Sequence, residues 1–270
     1  MVKPNLIVII LPMSELNERT SKQSIFSYQR LIFRYKLARK FLKQGSVLDI
    51  GCGGEGLIFN YISQEGYTGV DYSPKTVETI SSKFPDAQFF CQESPPLDFP
   101  DSTFDNILCL EMIEHISEDK APVLLHEIFR CLKKDGHLLL STPNALNRGK
   151  HYPEGHIKEY TVNEMEGLMR NAGFTITKKS GLFLSLMKER NRADMFSKLR
   201  ANLYNSLQPK TQESNFDKNQ PNNIHKDKKS ISFHKKVLKQ VLIQLAKLIC
   251  FMGYVFPNKA EYQVLLAEKS

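Results

Sequence analysis

The run Val47-Leu48-Asp49-Ile50-Gly51-Cys52-Gly53-Gly54-Glu55-Gly56 constrains this chain more than any other feature, because a short apolar strand passes straight into a turn built on four glycines. Glycines let the backbone approach a ligand closely, and a helix opening behind the turn favours anionic groups at its first amides. The same strand-to-helix alternation continues on both sides. Apolar strands are expected at 46–50, 69–71, 88–91, 106–110 and 137–141, with helices at 56–63, 74–83 and 120–132. A helix over 24–43 precedes them, and a helix (162–172), a strand (174–178) and a closing strand (262–267) complete the pattern. This alternation predicts an α/β, Rossmann-like fold: a seven-stranded, mostly parallel sheet with helices on both faces.

Composition narrows the class without naming a chemistry. At 270 residues, 41% hydrophobic and 24% charged, the chain can bury a core without disulfides. Its five cysteines are odd in number and show no C-x-x-C spacing, which argues against a disulfide framework or a structural zinc site and fits a reducing cytoplasm. No stretch reaches the roughly 18 uninterrupted apolar residues of a membrane span. The opening run from Leu6 to Leu11 stops at Pro12 and reads as part of an N-terminal tail, 1–23, with Met13 an alternative translation start.

The net charge of +8 is unevenly spread: residues 1–180 carry 21 Lys and Arg against 22 Asp and Glu, whereas residues 181–270 carry 16 against 7. The globular domain is therefore expected at 24–187 and 259–270, interrupted by a basic, partly flexible insertion at 188–258. Within it, 235–252 pairs lysines with an apolar face, as expected of an amphipathic helix that either lies on a membrane or covers the substrate pocket. Nucleic acid is not the expected partner, since Phe196, Tyr204 and Phe216 are too sparse for a stacking platform.

Taken literally, Gly51, Gly53 and Gly56 form G-x-G-x-x-G, and Asp71 follows Gly51 by 20 residues, which invites a nicotinamide cofactor. Asp49 argues against it. A carboxylate two residues before the first glycine would repel a pyrophosphate, but it suits a cationic ligand such as S-adenosylmethionine, with its sulfonium and ammonium groups.

On these residues the chain resembles the class I S-adenosylmethionine-dependent methyltransferases. Val47–Gly53 resembles their first motif, Gly69-Val70-Asp71-Tyr72-Ser73 the second strand, Gln92-Glu93-Ser94 with Leu97–Asp105 the third motif, and Leu132–Leu140 the turn into the fifth strand. The resemblance covers roughly residues 30–180 and the closing strand. It implies an antiparallel last strand, and a donor held by Asp49, Gly51, Cys52, Gly53, Asp71, Tyr72, Glu93, Ser94 and Glu111. Two departures stand out: Glu55 occupies the place of the usual third glycine, and Glu93 that of an Asp.

Further motifs, Ser141-Thr142-Pro143-Asn144 and Gly155-His156-Ile157-Lys158-Glu159-Tyr160-Thr161, resemble the branch of ubiquinone-pathway O-methyltransferases and methyltransferases of sugars or lipids. That branch implies a small-molecule or lipid-linked substrate. Glu111-Met112-Ile113-Glu114-His115 places two carboxylates and an imidazole at i, i+3 and i+4, one face of a helical turn. The resemblance implies that Glu111, Glu114, His115 and His156 hold a divalent cation, Mg2+ or Zn2+. Without a cation, His115 and His156 are the expected general bases. A ligand-binding module lacking catalysis, an RNA-binding protein and a dehydrogenase are the alternatives.

Overall fold

In the computed structural model of the chain, residues 25–148, 154–184, 240–249, 251–252, 254–255 and 260–270 are described. The expected tail 1–23 and most of the insertion, including 188–239, lie outside them. Seven strands form one sheet: β1 (Val47–Ile50), β2 (Tyr67–Asp71), β3 (Gln88–Cys91), β4 (Phe104–Leu110), β5 (Leu132–Pro143), β6 (Thr175–Leu184) and β7 (Ala260–Glu268). Their spatial order is β3-β2-β1-β4-β5-β7-β6. The first five pair in parallel, and β7 runs antiparallel to both β5 and β6.

Alternation along the strands gives the sheet two apolar faces, as a parallel sheet between helices requires. Cys109, Leu138 and Leu140 pack with Leu124, Leu125 and Ile128 of α3 (Lys120–Cys131) and with Met165 and Met169 of α5 (Val162–Asn171), which follows the short α4 (Ala145–Arg148). The intervening Leu108 and Leu139 face the other way, onto Leu37 and Ala38 of α1 (Ile25–Phe41). Local signals fix where the helices begin. Ser73 caps α2 (Pro74–Lys83) by accepting from the Thr76 N–H, with Pro74 in the first turn, and Thr161 with Glu164 closes a capping box on α5.

The structure departs from the sequence-based expectation at the helix expected over 56–63 and at the start of β5. Instead of a helix over 56–63 there is one 3-10 turn, Leu57–Asn60, entered through Gly56 in the left-handed region (φ 66°) and left through Tyr61 at φ −126°. Strand β5 begins at Leu132, taking what the apolar pattern assigned to the end of a helix. In the amphipathic segment, helix is seen over 240–249, where Ile243, Ala246 and Ile249 are buried; Ile243 packs with Tyr28 and Ile32 of α1, and Ile249 with Leu37 and Ala38.

Candidate active site

The strand order reverses between β1 and β4, and in open α/β sheets ligands bind at the carboxyl edge of such a switch point. The glycine turn leaves β1 there, and Glu111-Met112 leaves β4 beside it. A side chain at Gly51 (φ 75°) would meet the Met112 side chain at 3.0 Å, so the two turns touch. A Cβ at Gly53 (φ 63°) would meet no atom of the described residues within 4 Å, which leaves space above the turn among them. The Gly53 N–H donates to Asp71 Oδ2 (3.1 Å), while Asp71 Oδ1 accepts from the Ser73 N–H (3.0 Å). Asp71 thereby ties the end of β2 to the glycine turn.

Asp49 is buried and accepts a 2.6 Å hydrogen bond from the Tyr67 hydroxyl. Burial pushes its carboxyl up to about 7, opposed by the Tyr67 bond and reinforced by the charge of Asp71. A cation beside Asp49 would restore the ionised form. Burial likewise raises the Cys52 thiol, so this cysteine stays protonated at the turn. Further along the edge Tyr72 and Glu93 are exposed and Ser94 is half-buried.

Past β4 the chain makes a 3-10 turn, Ile113–His115, rather than the α-helical turn the i, i+3, i+4 spacing suggested, and Glu111 itself sits at φ 55°. This separates the two carboxylates. Glu111 pairs with Arg34 of α1 (2.8 Å) and accepts from the Ser141 hydroxyl (3.0 Å). Glu114 is fully buried and its Oε2 accepts from the Thr142 hydroxyl (2.9 Å), while its Oε1 is buried with no hydrogen-bond partner among the described residues. Burial, then the charge of Glu111, pushes the Glu114 carboxyl well above the carboxylate range.

The segment 154–160 closes over this turn. The N–H groups of Ile157 and Lys158 donate to the Glu114 carbonyl (2.8 and 3.2 Å), which brings His156 onto His115 with ring centroids 4.8 Å apart at 85°. Glu114, exposed His115 and half-buried His156 bring ligand atoms within 4.8 Å of one another. Glu111, expected as a fourth member, is not in that group: the guanidinium of Arg34 holds its carboxylate instead. His115 Nδ1 lies 2.8 Å from the Gly155 carbonyl and His156 Nδ1 lies 2.9 Å from Glu159 Oε1. Both partners are oxygens able to accept, so in a neutral ring this geometry suits a proton on Nδ1 and a lone pair on Nε2. Arg34 and Tyr67 carry no signal of their own in the sequence, whereas Thr142 and Glu159 stand inside motifs the sequence displays, without any sign there of the side chains they hold.

His126 and His137 are structural. The first bonds the Pro122 carbonyl on the surface of α3, and the second bridges the Phe41 carbonyl and Glu268.

The sheet order, the antiparallel β7 and the glycine turn facing an acidic end of β2 define the doubly wound fold of class I S-adenosylmethionine-dependent methyltransferases. The chain belongs to the methyltransferase-domain family, whose model matches residues 27–179. It is 29% identical over 144 residues to a probable S-adenosylmethionine-dependent methyltransferase of Mycolicibacterium smegmatis, covering 51% of this chain and 54% of that one. The chain thus spans about half the length of the mycobacterial relatives it matches. A ubiquinone biosynthesis O-methyltransferase of Xanthomonas euvesicatoria is 29% identical over 195 residues, covering 61% of this chain and 76% of that one. Among solved structures, a SAM-dependent methyltransferase from Archaeoglobus fulgidus aligns with a TM-score of 0.54 at 17% identity, over 96% of this chain and 100% of that one. The [4+2]-cyclase SpnF aligns at 0.53 and 18% identity, over 89% of this chain and 81% of that one, so the fold by itself does not assign a reaction. Among the described residues, no helix is long and apolar enough to cross a membrane.

Proposed function

We propose that this protein transfers a methyl group from S-adenosylmethionine to a hydroxyl of a small-molecule or lipid-linked substrate. The observation that carries this reading is the meeting of His115, His156 and buried Glu114 on the turn that leaves β4, with an acceptor oxygen on the Nδ1 side of each imidazole. S-adenosylmethionine, when bound, supplies an electrophilic methyl whose leaving group is a neutral thioether, so the protein needs a proton acceptor and alignment rather than an acid. Asp49 provides the negative charge that suits the donor's cationic end, and Gly51, Cys52 and Gly53 provide close backbone approach. Asp71, Tyr72, Glu93, Ser94 and Glu111 form the rest of the proposed donor site. His115 and His156 take the hydroxyl proton at Nε2. The O-methylation in the name of the Xanthomonas relative supports this acceptor.

A second reading adds a divalent cation, Mg2+ or Zn2+, held by Glu114, His115 and His156, with Glu111 left on Arg34. The Glu114 Oε1, buried and without a hydrogen-bond partner among the described residues, favours it: a bound cation would supply the charge on which this carboxyl could ionise. Such an ion, when bound, lowers the pKa of a nearby hydroxyl. Incubating the protein with labelled S-adenosylmethionine and fractionated metabolite extracts, with and without chelator, tests both readings. Transfer lost in His115→Ala and His156→Ala but unaffected by EDTA would leave the bases and remove the ion; transfer surviving both substitutions would remove the two readings together.

A lipid-linked substrate is supported by the outer side of the 240–255 segment, where Val241, Leu248, Phe251 and Val255 are exposed at helical spacing. Lys36 and Lys247 lie within electrostatic reach of each other there, and Lys40 contacts Tyr254. This segment attaches the protein to anionic bilayers, each basic residue contributing about 1 kcal/mol near such a surface. Co-sedimentation with liposomes that is independent of anionic lipid and of salt would leave this face without its proposed partner.

A further inference from the structure

The segment from Gly155 to Glu159 supplies a hydrogen-bond acceptor to each imidazole of the site. Gly155, at φ 88°, turns its carbonyl onto His115 Nδ1, and a side chain there would stand 3.6 Å from that same nitrogen. Four residues on, Glu159 brings its carboxylate to His156 Nδ1. Its side chain is 1% exposed, a costly place for a carboxylate unless a partner repays the lost hydration. The backbone holds it there. Glu159 precedes Tyr160, which bridges to Asn144 at the end of β5 and whose carbonyl accepts from the Ala145 N–H (3.1 Å) and from Gln263 Nε2 (2.8 Å). The same segment is bound to the Glu114 carbonyl through Ile157 and Lys158.

We propose that Glu159 is the positioning residue of this site: it fixes His156 in the Nδ1–H tautomer, with the Nε2 lone pair turned to the reacting centre. A carboxylate accepts and never donates when ionised, so the ring beside it must offer Nδ1–H. A histidine that works through Nε2, as a base or as a ligand, depends on such an outer partner for its orientation. His115 needs no carboxylate because the Gly155 carbonyl does the same work. The assignment rests on reading His156 as a working group of the active site, but the tautomer can be measured without any substrate.

The test is the tautomer of both rings, read from 15N chemical shifts and two-bond couplings of the full chain labelled at histidine, in the wild type, Glu159→Ala and Glu159→Gln. The expected result is Nδ1–H at His156 and His115 in the wild type. In Glu159→Ala, His156 shifts toward the Nε2–H form while His115 stays as it was. Glu159→Gln, whose amide oxygen still accepts, largely keeps the wild-type spectrum. In a transfer assay the Ala variant is expected to lose roughly 10- to 100-fold in kcat, with KM for the donor unchanged and the Gln variant recovering much of the loss. A wild-type His156 protonated at Nε2, or an Ala variant with unchanged tautomer and kcat, overturns the proposal; should the Ala variant fail to fold, the wild-type spectrum and the Gln variant still decide it. If the tautomers are as stated and no methyl transfer is found, the proposed reaction fails and the positioning role stands.

Discussion

Tyr67, the first residue of β2, donates its hydroxyl to Asp49 Oδ2 across 2.6 Å, and both side chains are buried beneath the glycine turn. The bond leaves Asp49 a carboxyl that burial has raised to about 7, poised between a neutral acid and the anion a cationic donor needs.

Donor binding is therefore expected to depend on pH. The folded protein keeps a proton on Asp49 between the ordinary value of 3.8 and about 7, where the unfolded chain has released it, so this group's contribution to stability falls as pH rises through that window. A sulfonium ligand reverses the balance by favouring the anion. Calorimetry should show about tenfold tighter binding of S-adenosylmethionine at pH 8 than at pH 6, with proton release at pH 6. Asp49→Asn should bind weakly and without this pH dependence, and Tyr67→Phe should move the transition to higher pH. A pH-independent affinity in the wild type would mean that Asp49 does not face the donor.

The glycines of the turn should differ in what they tolerate. Alanine at Gly56 would place its Cβ 2.0 Å from the Phe84 ring, itself packed on Phe59, in a left-handed backbone. Alanine at Gly53 meets the same backbone strain but no atom of the described residues within 4 Å. Thermal denaturation should show Gly56→Ala losing about 3 kcal/mol or more, and Gly53→Ala about 1 to 2. Equal losses would contradict the packing assigned to Gly56.

Arg34 and Glu111 join α1 to the carboxyl edge of the sheet through an ion pair whose side chains are 10% and 20% exposed. Removing one partner strands a largely buried charge, so Arg34→Met or Glu111→Gln alone should cost about 3 kcal/mol in urea denaturation. The double variant should lose clearly less than the sum of the two. Strict additivity would show that the pair is not coupled in solution.

Much of the fold was legible because its signals are local. Helix α2 and strand β3 match their expected bounds, since Ser73-Pro74 caps one and turn residues flank the other. The 3-10 turn at 57–60 was not, because apolar spacing does not reveal that Gly56 turns left-handed. Nor was the split of Glu111 from Glu114. Their spacing fits one helical face, but Arg34, 77 positions earlier in the chain, competes for Glu111, and no local pattern encodes a contact so distant. Asp49, His115 and His156 were legible as residue types at motif positions; the contacts of Tyr67, Thr142 and Glu159, which set how the site's carboxyls and imidazoles behave, come only from the fold.

Calorimetric titration of the full chain with S-adenosylmethionine and, separately, with NAD addresses the central assignment most directly, because one turn and one acidic strand end are claimed for a cationic donor. The expected result is micromolar binding of S-adenosylmethionine, none of NAD, and at least a tenfold loss of the former in Asp71→Ala, whose carboxylate holds the Gly53 N–H. Tighter binding of NAD, or an unchanged affinity in Asp71→Ala, would contradict it.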